Sequence, residues 1–174
     1  QQLLAAETIR DGLSNILYWG NDRAGYRDIR VNRFRDNVTL PQLEAAHSLF
    51  SRNPRSGMVE IKQLRMPQYS GISFISKIRM FLSPEDSATL DLKIMKMKFS
   101  PSGDRTVLNR FSFSAARTAV TPTVKNGLAY EAWCEKLVDI SQHYYARRYR
   151  AVDVERGFFK MVDIGSQNYA AEIL

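Results

Sequence analysis

With 174 residues, 44% of them hydrophobic, but only one cysteine and two histidines, the chain predicts a single domain with a core and without a disulfide, metal or cofactor. Its apolar runs are far shorter than the about 20 residues of a membrane span, and it opens without a secretory signal pattern, so we expect an intracellular protein with no membrane partner. The net charge of +7 favours encounters with polyanions such as DNA or RNA.

The N-terminal part predicts a helix followed by a basic, irregular connection. Apolar residues recur at helical spacing from Leu3 to Trp19, and we expect the Trp19 ring to lie in the core. The pattern breaks over residues 21–37, where arginines alternate with aromatic and aliphatic side chains. Either this connection contacts nucleic acid, or its arginines form a solvated face paired with neighbouring aspartates. The arginines in question are Arg27, Arg30 and Arg33.

Three helices are expected between residues 39 and 82. Thr39 and Gln42 have the spacing of a capping box, which predicts a helix from there through about Phe50. A short helix is expected from Met58 to Leu64 and a longer one from Ile72 to Leu82. A turn that contains a proline and a glycine joins these last two helices.

The C-terminal half predicts further helices around one irregular stretch. Residues from Leu90 to Phe99 alternate in polarity, but the helical surroundings favour a helix there. Residues 100–126 contain two proline turns and predict a partly extended excursion. Two more helices are expected, from Leu128 to Tyr145 and from Val152 to Val162. We therefore predict a mainly α fold in which residues 1–174 form one helical domain.

The turn before Ile72 carries a binding signal. A helix that begins at an exposed turn offers its backbone amides and the positive end of its dipole to a phosphate group. The same pattern also occurs in helical hairpins that serve only to build a core, and these residues alone leave both interpretations open. The candidate nucleic-acid contacts at this turn are Gln68, Tyr69, Ser70 and Gly71.

The stretch from Leu64 to Leu82, followed by Leu90 to Ile94, resembles the helix-hairpin-helix DNA glycosylases, especially their 8-oxoguanine DNA glycosylase-like branch. In that family a leucine, a proline–glycine hairpin and a second helix precede a buried hydrophobic-Asp-x-x-hydrophobic segment. The segment from Tyr149 to Phe159 is similar to the closing helix of the branch. The resemblance covers residues 58–162, with a hairpin that keeps a single glycine. It implies a helical bundle of glycosylase type, DNA as partner, base excision repair as the process and the nucleus as location.

The resemblance implies three candidate catalytic residues: Asp91, Lys77 and Ser73. Counting back from Asp91 by the family's spacing reaches Ser73, one helical turn before Lys77. If Lys77 acts, its amine must lose a proton to form a Schiff base with the sugar. If Ser73 holds the position instead, Asp91 stabilises a sugar cation and positions water. If the activity is lost, Asp91 is only a helix cap.

These observations predict a nucleic-acid-binding domain that resembles a DNA glycosylase, with its activity kept or lost. Arg147 and Arg148 are further candidate contacts because they alternate with tyrosines that could stack on bases, although a basic helix end also compensates the helix dipole. One alternative is a non-catalytic scaffold that keeps the fold and holds a protein partner. Another is an unrelated basic helical protein, in which Asp91 and the hairpin would lie far apart.

Overall fold

The computed structural model describes residues 1–22, 24–114 and 119–174, and these residues form α-helices and 3-10 helices but no β-strand. The mainly α prediction is therefore confirmed. Residue 23 of the basic connection and residues 115–118 of the predicted excursion lie outside the described residues. The α-helices are α1 (Ile9–Gly20), α2 (Arg27–Asn37), α3 (Leu40–Arg52), α4 (Met58–Gln63), α5 (Ile72–Leu82), α6 (Val124–Tyr145), α7 (Ala151–Asp163) and α8 (Gln167–Ile173).

Short 3-10 helices supplement this set. They span Gln2–Leu4, Ile94–Phe99, Gly103–Arg105 and Val107–Arg110. The predicted excursion over residues 100–126 thus contains two 3-10 turns and the first turn of α6 in its described part. Of the helices described, none combines the length and apolar character that crossing a membrane requires.

Helices with a clear start signal or a clear apolar stripe lie where the sequence predicts them. At the start of α3, Gln42 N–H donates to Thr39 Oγ1 at 3.4 Å and Thr39 N–H donates to Gln42 Oε1 at 3.0 Å, which confirms the capping box. Helices α4, α5 and α7 lie within one residue of their predicted ends, and α6 begins four residues early. In each of these helices one face is buried, as the apolar spacing requires.

The prediction that the basic connection is irregular is wrong, because its second part forms α2. The sequence of α2 has no apolar stripe that would predict a helix, because Phe34 is the one residue of this helix that is fully buried. The helix packs against α1 and is tied to it by an ion pair of 2.7 Å between Arg35 and Asp11. Tertiary packing stabilises α2 where its own pattern gives no signal.

Two other expectations are wrong, and one helix was missed. No α-helix forms between Leu90 and Phe99. Ile94–Phe99 is instead a 3-10 helix, in which the buried Ile94 and Met97 lie three residues apart on one side. The Trp19 side chain is 49% exposed, since it lies at the end of α1 against the equally exposed Phe81 ring. Helix α8 was not predicted at all.

Helix α5 lies in the core beside the segment that precedes Asp91. Ser76 Oγ accepts a hydrogen bond from Leu90 N–H at 3.0 Å. From the other side, α6 holds the same segment through bonds from Tyr130 Oη to Ala88 O at 2.7 Å and from Trp133 Nε1 to Thr89 O at 3.1 Å. Buried polar groups are thereby satisfied, and the position of residue 91 relative to α5 is fixed.

Candidate active site

The three predicted catalytic residues lie together at the start of α5. Lys77 Nζ is 3.1 Å from Ser73 Oγ and 3.1 Å from Ser73 O. Asp91 Oδ2 is 3.4 Å from Ser73 Oγ and 3.8 Å from Lys77 Nζ. The four-residue spacing of Ser73 and Lys77 places both on one helical face, and the anchored segment beside α5 brings in the carboxylate. An amine, a hydroxyl and a carboxylate therefore share one site.

Lys77 is a buried amine. Its side chain is only 6% exposed, and this burial lowers its pKa, although Asp91 and Glu155 act in the opposite direction. A lowered pKa increases the fraction of the neutral amine, which is the nucleophilic form. The Phe74 ring, 4.9 Å from Nζ, covers the other side of the ammonium group.

Gly20, the last residue of α1, covers the aliphatic stem of Lys77. A Cβ atom at this position would lie 2.8 Å from Phe74 Cε1 and 3.0 Å from Lys77 Cδ. Any larger residue would therefore displace the ring or the lysine. The sequence marks Gly20 only as the end of a helix, so its contact with Lys77 was not predicted.

The Asp91 carboxylate has two roles in the structure. Its Oδ1 accepts from Lys93 N–H at 2.9 Å, as a capping residue does. Its Oδ2 faces Ser73 and Lys77, and the side chain remains 37% exposed. Capping therefore uses one oxygen, while the other accepts from Ser73 Oγ and faces the Lys77 ammonium at the edge of the solvent.

A pocket of about 540 Å³ opens in front of these groups, within the size range of small-molecule sites. Asp91 and Ser73 line it directly, whereas Lys77 lies behind Ser73 and Phe74. The lining residues of the hairpin are Gln68, Ser70 and Gly71, and those of the N-terminal helices include Gly20, Tyr26 and Arg30. The hairpin and Asp91 are thus neighbours, which contradicts the expectation for an unrelated helical protein.

Several residues of the hairpin that line this pocket have unbonded amides. Within the described part of the chain, the N–H groups of Ser70, Gly71 and Ser73 have no hydrogen-bond acceptor. Gln68, just before them, adopts a left-handed φ of 68°, which turns the chain sharply toward α5. Such amides at the start of a helix can bind an anion.

Tyr69 is not a surface contact, and its prediction as one is wrong. It is 2% exposed, and its hydroxyl donates to Leu13 O inside the core. Its ring also packs edge-on against Phe34 at 5.7 Å. The hairpin sequence alone does not reveal that this tyrosine anchors the turn to α1 and α2.

The predicted arginines divide between different places. Arg30 lines the pocket, with its guanidinium 4.7 Å from the Tyr26 ring. Arg27 stacks on the Tyr18 ring at 3.9 Å and pairs with aspartates on the outer surface, and Arg33 is exposed. Arg147 and Arg148 lie after α6, away from the hairpin.

Glu155 of α7 is a functional candidate that the sequence did not reveal. It is 3% exposed, and burial raises its pKa to about 7, despite the opposing effects of Thr89 and Lys77. In the sequence it is simply one polar residue of an amphipathic helix. Among the described residues, no group of three His, Cys, Asp or Glu side chains could hold a metal ion.

Comparisons of this chain with protein-family models, with curated proteins and with solved structures find no match. The functional interpretation therefore depends on the geometry of the site and on the sequence resemblance.

Proposed function

We propose that this domain binds DNA through the hairpin and Arg30 and receives one flipped nucleotide in the pocket, as a DNA glycosylase does. The observation that supports this proposal is that Lys77, Ser73 and Asp91 lie together at the wall of a pocket whose lining residues include some with unbonded amides. Phosphate oxygens would accept from these amides and from the guanidinium. Flipping costs a few kcal/mol, and less for a damaged base.

In the proposed reaction, Lys77 is the nucleophile and Asp91 assists it. The neutral amine attacks C1′ of the sugar, the bond from C1′ to the base breaks, and the base leaves with the electron pair and takes up a proton. Asp91, whose Oδ2 faces Nζ at 3.8 Å, accepts a proton from the alkylated amine. The nitrogen lone pair then expels O4′, which takes up the proton held by Asp91, and water hydrolyses the resulting iminium ion.

Ser73 holds the amine before the reaction. Both of its oxygens accept hydrogen bonds from Nζ at 3.1 Å, and these bonds keep the lysine behind the pocket wall. Rotation of the lysine side chain past Ser73 would bring Nζ to the sugar. Ser73 is therefore a positioning residue in this mechanism, and Asp91 is the catalytic residue that lines the pocket.

The experiment that tests the proposal is reductive trapping on duplexes that carry either an abasic site or 8-oxoguanine. Borohydride converts an iminium ion into a stable amine, so we expect a covalent protein–DNA product with the wild type. Lys77→Gln should abolish this product, and Asp91→Asn should slow its formation by roughly a hundredfold or more. Lys96→Gln, which removes an exposed lysine outside the site, is the matched control and should behave as wild type.

Each other result has a defined meaning. Trapping that persists in Lys77→Gln would exclude Lys77 as the nucleophile. If the base is released without a trapped product, and only Asp91→Asn reduces this release, the nucleophile is an activated water molecule instead of the amine. Salt-dependent DNA binding without base release or trapping would mean a binding domain without catalysis. If binding is also absent, the proposal fails and a protein-interaction scaffold becomes the better interpretation.

A further inference from the structure

The junction between α6 and α7, residues 142–150, is a second surface with the chemistry of a nucleic-acid site. All nine of these residues are exposed, and none of them is acidic. Three tyrosines alternate with basic residues in this stretch. The tyrosines are Tyr144, Tyr145 and Tyr149, and the basic residues are His143, Arg147, Arg148 and Arg150.

The α6–α7 junction has a defined and strained backbone. Ala146 and Arg147 both adopt left-handed φ values, of 48° and 59°, which are unfavourable for residues other than glycine. Arg147 N–H donates to Ser141 O at 3.0 Å, and Ser141 Oγ donates to Tyr149 O, so the turn is held at both ends. Strain of this kind is concentrated at functional sites.

The side chains of the α6–α7 junction are only partly occupied by protein contacts. Arg150 is fixed by Asp153 at 2.8 Å, and Arg147 lies 3.9 Å from Asp86. Arg148 has no ion pair within the described part of the chain. The Tyr144 side chain is 74% exposed. The Tyr145 and Tyr149 rings pack edge-on against each other at 5.0 Å, and the Tyr144 ring, near the end of α6, lies 6.2 Å from the His143 ring. An arginine without an ion pair and largely exposed aromatic rings therefore lie close together along this stretch.

The α6–α7 junction is separate from the pocket. It is attached to the residues that follow α5, through bonds from Ala151 N–H to Glu85 O at 3.1 Å and from Val152 N–H to Pro84 O at 3.3 Å. The hairpin precedes the other end of α5. A helix of 11 residues separates these ends by roughly 16 Å.

We propose that the α6–α7 junction binds single-stranded nucleic acid, with bases stacked on its tyrosines and phosphates on Arg147 and Arg148. Bases in a duplex are stacked on each other, so exposed aromatic faces favour strands whose bases are free. The arginines supply the charge complementarity, because two of the three in the junction keep most of their hydrogen-bonding groups open to solvent. This binding does not depend on the pocket or on its proposed chemistry.

The test measures binding of the full chain to a labelled oligothymidine of about twelve nucleotides and to a duplex of equal length, across a salt series. We expect the double variant Tyr144→Ala/Arg148→Ala to weaken oligothymidine binding about tenfold and to reduce the salt dependence. The matched control, Tyr169→Ala/Arg52→Ala, removes the same residue types from exposed positions elsewhere and should bind as wild type.

The pocket variants separate this proposal from the proposed function. Asp91→Asn should leave oligothymidine binding unchanged, and the junction variant should leave trapping on abasic duplexes unchanged. Unchanged oligothymidine affinity in the junction variant would overturn the proposal. An equal loss for the strand and the duplex would overturn it as well, because a surface that only attracts charge does not distinguish them.

Discussion

Glu155 makes the stability of this protein depend on pH. Burial raises the pKa of Glu155 to about 7 in the folded protein, from an ordinary value of 4.5. Between pH 4.5 and pH 7, the folded chain therefore holds a proton on Glu155 that the unfolded chain has lost. Folding then takes up a proton, and stability falls as pH rises through this window. We expect the group to cost about 3 kcal/mol above pH 7, measured by urea unfolding from about pH 4.5 to pH 8.

The variant Glu155→Gln isolates this effect. Glutamine has nearly the same shape but no charge, so the fall in stability between the two pKa values should disappear. Glu135→Gln removes an exposed carboxyl from α6 and should keep the wild-type pH dependence. A Glu155→Gln protein that still loses stability over this window would show that another group takes up the proton.

At the scale of elements, the capping box of α3 also supports the hairpin. Gln42 accepts the Thr39 N–H, and its Nε2 donates to Arg65 O at 2.9 Å, where the chain leaves α4. Thr39→Ala should therefore cost about 1 kcal/mol and lower the melting temperature by about 3 °C. Ser166→Ala is the control, because Ser166 begins α8 without a side-chain cap bond. Equal melting temperatures for the two variants would contradict this role.

Local signals explain which elements the sequence predicts. Thr39 predicts the start of α3 because a capping box involves only four consecutive residues, and the apolar stripe of α5 predicts that helix. Helix α2 has no such signal, since Phe34 is its one fully buried residue and Val31 is only partly buried. The 3-10 turn over Ile94–Phe99 was also missed, because short alternating segments suit several conformations.

The residues of the candidate site likewise fall into those that the sequence predicts and those that only the folded structure reveals. Ser73, Lys77 and Asp91 were predicted because the resemblance links them by spacing along the chain. Gly20 and Glu155 come from α1 and α7, and they approach Lys77 only after the chain has folded. Ser70 is exposed and Gly71 is half-buried, and both line the pocket, but the hairpin pattern could not show that Tyr69 points inward.

For the whole molecule, Arg79 connects distant parts of the chain through one buried guanidinium. It is fully buried, and it donates to Ser56 O at 2.8 Å and to Ser87 Oγ at 3.3 Å. It also makes a two-pronged ion pair with Glu131 of α6, at 2.8 and 3.1 Å. The turn before α4, helix α5, the segment before Asp91 and helix α6 thus depend on a single side chain.

Removal of this guanidinium should destabilise the whole domain. We expect Arg79→Met to cost about 3 kcal/mol, because Glu131 and the buried Ser56 carbonyl lose their partner. Arg79→Lys should not restore stability, since an ammonium group cannot reproduce the planar pair. Arg35→Ala, which breaks the exposed pair with Asp11, should cost at most about 1 kcal/mol in the same urea unfolding experiment. If the double variant Arg79→Met/Glu131→Leu is no more stable than Arg79→Met, the cost comes from packing and the Ser56 bond rather than from an unpaired carboxylate.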